Sequence, residues 1–168
     1  MAFIIDMEKQ ERIVRQFFSD LKSKNGVSPV EQAPRDGEKY LFSWRMKSDK
    51  GEAIYELFQM GDCLYFTART QTQADNDEFR ILKLLNWLNG WSHYGIFTYA
   101  PKQKTVLYEQ THFCRLFEYT VEEIYSFYVQ SIRRVNVYHL SADDVFNNEV
   151  DIETAVDLAN DVVRHISS

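Results

Sequence analysis

An α+β fold is what the sequence predicts: an antiparallel sheet with helices packed on it, in the order α-β-β-β-α-β-β-α-α. Three observations predict it. The spacing of apolar residues switches repeatedly between a period of two and a period of three to four. Short turns carrying Gly or Pro join the period-two runs, and capping residues open the helical ones. Helices segregated to one face of an antiparallel sheet bury both patterns. With 168 residues, the chain reads as one domain over 1–168, large enough for a substantial core.

Asp6 can cap a first helix, whose apolar positions Ile13, Val14, Phe17, Phe18 and Leu21 share a face until Gly26 closes it. Val27 to Gly37 holds two of the three prolines and reads as a loop. From Tyr40 the period becomes two, with Tyr40, Phe42, Trp44 and Met46 on one face and Leu41, Ser43 and Arg45 on the other. Ser48 to Gly51 turns the chain into a run over Ala53 to Met60, and Gly61-Asp62 turns it again into Cys63 to Thr70. Burying the four-residue stripe contributes roughly 6–12 kcal/mol, at about 1.5–3 kcal/mol per side chain, so it is read as core and not as a base-stacking platform.

Asp75, Asn76 and Asp77 offer caps for a second helix carrying Phe79, Leu82, Leu85, Trp87 and Leu88 inward as far as Gly90. Tyr94 to Tyr99 and Thr105 to Leu116 form a hairpin around Pro101 to Lys104. Thr120 and Glu123 make a capping box for a third helix with Ile124, Phe127, Tyr128, Ile132 and Val135 inward. That helix weakens near Tyr138, where Ser141 can cap a short turn through Phe146. Asp151 opens a last helix with Ile152, Ala155, Val156, Ala159, Val162, Val163 and Ile166 on its apolar side.

The net charge of −6 repels phosphate backbones and anionic membranes, so neither nucleic acid nor a membrane is expected as partner. Lys102, Lys104, Arg133 and Arg134 read as solvated charge. Cys63 and Cys114 sit in strand-like runs, as small buried hydrophobes do in a reducing compartment. No apolar run approaches the roughly 18 residues of a membrane span, and the start resembles no signal peptide, so the expected compartment is the cytoplasm.

No chemistry-bearing constellation emerges. Hairpin pairing would set His93 opposite His112 with Cys114 nearby, but a zinc site needs more ligands at recognisable spacing. Neither thiol carries a nucleophile signature, and Glu122 and Glu123 explain themselves as first-turn charges of a helix. The six glycines are scattered through turns, in no phosphate-binding or nucleophile-elbow motif. No catalytic residue, metal or cofactor is therefore expected, and the chain is not read as an enzyme.

The element order resembles the type III secretion chaperone-like fold. Within it, the run Leu84-Leu85-Asn86-Trp87-Leu88-Asn89 ahead of Gly95-Ile96-Phe97 resembles the YbjN family, over roughly Lys39 to Asn147. The second strand of the hairpin would be Val106-Leu107-Tyr108-Glu109. The resemblance implies a small acidic bacterial protein, often dimeric, that binds partner proteins or acts in regulation without a catalytic reaction. The extra C-terminal helix departs from the short chaperone pattern and unsettles any copied dimer geometry.

Leu41, Tyr55, Leu57, Tyr65, Trp91 and Tyr94 are expected to leave apolar surface on the sheet face that the helices do not reach. Such a face on an acidic protein marks a partner or homodimer surface. The alternative is that the last two helices fold back over it. The function expected is a non-catalytic protein-binding module, chaperone-like or adaptor. The alternative is a small sensory or regulatory domain binding a ligand between helix and sheet.

Overall fold

A computed structural model describes residues 6–48, 50–61, 63–71, 77–90, 92, 95–113 and 119–165. It holds α1 (Met7–Asn25), β1 (Val30–Gln32), β2 (Glu38–Ser48), β3 (Gly51–Met60), β4 (Cys63–Gln71) and α2 (Glu78–Gly90). There follow β5 (Ile96–Ala100), β6 (Thr105–Phe113), α3 (Val121–Asn147) and α4 (Ile152–His165). The strands form an antiparallel sheet in the order β1-β2-β3-β4-β6-β5. This is the α+β architecture predicted, with one more strand.

Register decides which residues meet the helices. Trp44, Tyr55, Ala68, Tyr108 and Phe97 lie directly opposite one another across five strands and therefore share one face. Phe42, Leu57 and Phe66 form the next row on that face. Both rows are buried. From α1, Phe18 packs on Phe42 and Trp44 at ring distances of 4.5 and 5.5 Å, and from α3, Tyr128 meets Trp44 and Phe66 at 6.0 and 6.3 Å. The aromatic stripe of β2 is thus core, as its alternation predicts. In the second layer α4 lies on α3 and α2, so the last two helices join the others and leave the far face of the sheet open.

The capping residues act as predicted. Asp6 accepts from the Glu8 and Lys9 amides at 3.1 Å each, and the Thr120–Glu123 capping box is complete. Of the caps expected for α2, Asp75 and Asn76 lie outside the described residues, while Asp77 accepts from the Arg80 amide at 3.0 Å.

Four expectations are corrected. β1 was not foreseen: it lacks apolar periodicity, and side chains hold it, Glu31 pairing with Arg15 at 2.6 Å and Gln32 donating to the Ser43 hydroxyl at 2.6 Å. The third helix does not stop near Tyr138, because Val135, Tyr138, Ala142 and Val145 continue one buried ridge. Ser141 there is buried, and its hydroxyl donates across to the Ala155 carbonyl of α4 instead of capping a new turn. In α2 the buried ridge is Ile81, Leu84, Leu85 and Leu88, so Phe79 and Leu82 face outward. In α4 Val162 is likewise exposed, and Ile166 lies outside the described residues.

Two tight contacts fasten this framework. Gly95 has φ +68°, a left-handed conformation natural to glycine, and a Cβ there would lie 2.4 Å from the buried Tyr108 hydroxyl. That hydroxyl donates to Gln110 at 2.8 Å, and burial pushes its pKa up to about 12. At the other end, the hairpin tip between β2 and β3 rests on α3. Lys50 pairs with Asp143 at 2.6 Å, and a Cβ on Gly51 would touch the His139 imidazole at 2.9 Å. The Thr70 hydroxyl donates to the Glu52 carbonyl, so His139 Nε2–H donates to that hydroxyl, at 2.8 Å. Burial lowers the His139 pKa to about 4 and keeps the ring neutral.

Gly95→Ala should cost more than the roughly 1 kcal/mol of an ordinary glycine replacement, because strain and overlap with Tyr108 add. Urea denaturation measures it. For His139, the folded pKa lies below the unfolded value of about 6.5, so the unfolded chain takes up the proton first. Its contribution is complete above about pH 6.5 and declines as pH falls toward 4, by up to about 3 kcal/mol. Denaturant midpoints at pH 7 and pH 5 should differ, and His139→Asn should flatten that part of the profile.

Candidate protein-binding face

The open face follows from the same register, taken at the opposite parity. Its rows run Leu41–Phe58–Tyr65–Thr111, Glu56–Thr67–Glu109–Ile96 and Ile54–Arg69–Leu107–Thr98. Phe58 and Tyr65 stack with ring centroids 5.1 Å apart and planes within 4°. The Arg35 guanidinium caps the pair, 5.1 Å above the Phe58 ring. Met60 and Ile96 stand well exposed beside this group, at 42% and 60%.

An ion cluster lies beside the aromatic pair. Glu56 is buried, yet its two oxygens face two arginines: Arg69 Nη2 donates to Oε1 at 2.6 Å and Arg35 Nη2 to Oε2 at 3.2 Å. Thr67 adds a longer contact of 3.5 Å. Glu38 takes the Arg35 Nε–H at 2.7 Å and its backbone N–H at 2.8 Å. Hydrogen bonds from cations offset the cost of burying a carboxylate. Hydrogen bonds and charge from Glu38 and Glu56 raise the Arg35 pKa against the opposing effect of burial. These residues, with Met60, Ile96, Thr98, Leu107 and Glu109, line a cleft of about 460 Å³ that opens to solvent. That volume falls within the range of ligand sites, about 300–1,000 Å³.

Of the residues expected on this face, the structure brings two to it. Leu41 is there but buried, enclosed between Gln32 of β1 and Phe58 of β3. Tyr65 is there and half-buried. Tyr55 and Leu57 are on the helix-covered face, at 2% and 0% exposure, because Tyr55 is opposite Trp44 and Leu57 opposite Phe42. Trp91 and Tyr94 lie outside the described residues. So do His93 and Cys114, and no group of three or more His, Cys, Asp or Glu among the described residues is arranged to hold a metal ion. The ligand-binding alternative placed its cleft between helix and sheet, whereas this cleft is on the opposite face. None of the described helices is long and apolar enough to cross a membrane.

Phe58, Met60, Ile96, Leu107 and the Arg35–Glu56–Arg69 cluster escaped the sequence reading. One signal pointed to them. The tight turn pairs Ser48 with Gly51, which puts Tyr55 opposite Trp44 and sends Glu56 and Phe58 to the other side. Arg35 carried no such signal, since its place depends on how the segment before β2 folds over the sheet.

Both edges of the sheet are restricted. β1 is only three residues long and is tied to α1 through Arg15 and Glu31. On β5, the Asn89 side chain from α2 accepts from the Phe97 N–H at 2.8 Å and donates to the Phe97 carbonyl at 2.9 Å. The amide thus occupies the two groups that a further strand would use. Arg134 closes the same corner, donating to the Leu88 carbonyl at 2.6 Å near the C-terminus of α2 and lying over Phe97.

Among solved structures, the chain is similar to the crystal structure of YbjN, described as a proposed transcription regulator from E. coli. The match has a TM-score of 0.51 and 15% sequence identity, and covers 79% of this chain and 90% of that one. The chain shares the fold of YbjN. At that identity the likeness speaks for the fold alone. No protein-family model matches the chain, and no curated protein matches it.

Asn89→Ala should leave the outward N–H and C=O of Phe97 without their partner. The expected loss is about 1–3 kcal/mol, read from urea denaturation, with faster amide exchange at Phe97. Asn89→Asp, which can still accept but not donate, should fall between the two.

Proposed function

We propose that the protein is a non-catalytic binding module whose open sheet face receives a segment of another protein. One observation carries this reading: a solvent-open cleft with exposed Met60 and Ile96 sits on the sheet face that none of the described helices covers. Apolar side chains in that position on a charged protein favour burial against a partner. Recognition would be face-on, through side chains, because Asn89 and the short β1 obstruct strand addition at the edges. The described ionisable groups of the face fit the same role. Glu56 is committed to Arg35 and Arg69, which suits a structural carboxylate better than a general acid or base.

The regulatory description of YbjN agrees with a module that works by contact, and for this chain regulation through a bound protein remains part of the proposal. A second copy of the chain is a further occupant that the same experiment detects.

The test is affinity capture with mass spectrometry and light scattering, comparing the wild type with a Met60→Glu, Ile96→Glu double variant. A Leu158→Glu, Val162→Glu double variant, on the exposed side of α4, serves as a control of equal added charge. The open-face variant should lose at least about tenfold of any captured partner, equivalent to about 1.4 kcal/mol, while the control retains it. Equal retention by both variants would remove the open face as the binding surface.

A further inference from the structure

We propose that the open-face cleft selects an acidic, apolar stretch of a partner protein, with Arg69 and Arg35 receiving its carboxylate. This rests on the reading of the open face as the binding surface and names the chemistry of what it takes.

The charges in the cleft are layered. Two of the three lining carboxylates are underneath: the Glu38 and Glu56 side chains are 6% and 8% exposed, while Glu109 is exposed. The guanidiniums are on top, with Arg35 51% and Arg69 48% exposed. An arriving segment therefore meets Arg35, Arg69 and Glu109, two cations against one anion. Arg69 gives one of its five N–H groups to Glu56, and its Nε and Nη1 groups take no part in that bond. Arg35 commits Nε and Nη2 and keeps Nη1. The donors of a guanidinium lie in one plane, so those left on Arg69 and on Arg35 can each reach an oxygen of an arriving carboxylate. Because Glu56 already holds both arginines in place, less side-chain freedom is lost when that carboxylate arrives.

The rest of the cleft calls for apolar neighbours to the charge. Phe58, Met60, Leu107 and Ile96 line it and would bury aliphatic or aromatic side chains flanking the acid. Glu109 opposes part of this attraction: exposed on β6, opposite Thr67 and one row from Arg69, it repels a carboxylate placed beside it. A basic segment fits less well, since its cations would face Arg35 and Arg69 and find one exposed carboxylate, Glu109, while Glu38 and Glu56 stay buried and paired. Polyanions such as nucleic acid are disfavoured by the net charge of −6, whereas a short segment with one or two acids meets little of that repulsion.

The experiment is a titration of the full chain, followed by amide chemical shifts, with three acetylated and amidated pentapeptides. Their sequences are Leu-Glu-Phe-Glu-Leu, and the same with Lys or with Gln in place of Glu. The Glu peptide should move the amides of Thr67, Arg69, Leu107 and Glu109 and bind about tenfold tighter than the Lys peptide. Arg69→Gln should weaken the Glu peptide by at least about fivefold, and Glu109→Gln should tighten it. The second variant guards the test, since misfolding does not tighten binding. If the Lys or Gln peptide binds these residues as tightly as the Glu peptide, the acidic preference is wrong and the open-face reading stands. If none of the three shifts the cleft residues, both are overturned.

Discussion

Every feature of this protein depends on the parity of the sheet, that is, on which residues of each strand stand opposite which residues of the next. Trp44, Tyr55, Ala68, Tyr108 and Phe97 form one continuous row because two tight hairpins and the long pairing of β4 with β6 agree in register. A slip of one residue in any strand would exchange its buried aromatics for charged residues such as Arg45, Glu56 or Arg69. The aromatic rows on one face make that slip costly, and so they also hold the opposite face in its arrangement.

The open face is consequently a by-product of the core in position but not in composition. A wholly polar face would need no cleft, and a wholly apolar one would associate without selectivity. Here a stacked aromatic pair, two exposed aliphatic side chains and a hydrogen-bonded ion cluster share one surface. Burying Glu56 carries a desolvation cost that only its arginine partners offset. Since hydrophobic residues of similar volume could occupy such a position, stability alone does not account for the cluster, and selecting a partner is the role proposed for it. The occupied edge at Phe97 fits the same proposal, because it withholds the backbone groups that strand addition would use.

The fold was legible in particular residues. The alternation of Tyr40, Phe42, Trp44 and Met46, the capping box at Thr120 and the helical spacing of Ala155, Val156 and Ala159 each speak for local structure and were met. The misreadings share a cause. The third helix does not weaken near Tyr138, and Ser141, expected to cap a short turn, finds its hydroxyl's partner in α4, fourteen residues away in sequence. The inward ridge of α2 was rotated because Phe79 and Ile81 are equally apolar, and only the neighbouring layer distinguishes them. Tyr55 and Leu57 were assigned to the open face although their pairing with Trp44 and Phe42 across the tight turn puts them in the core.

By itself the sequence determined the order of the helices and of every strand but β1, the acidic charge and the inward stripe of β2, because periodicity, capping and composition act over a few residues at a time. The tertiary structure alone decided that four helices share one side, that Asn89 occupies the β5 edge and that Arg35 and Arg69 meet over Glu56. Those contacts join residues 8 to 21 positions apart, or whole layers of the fold, and their energies depend on register and packing that no local spacing encodes.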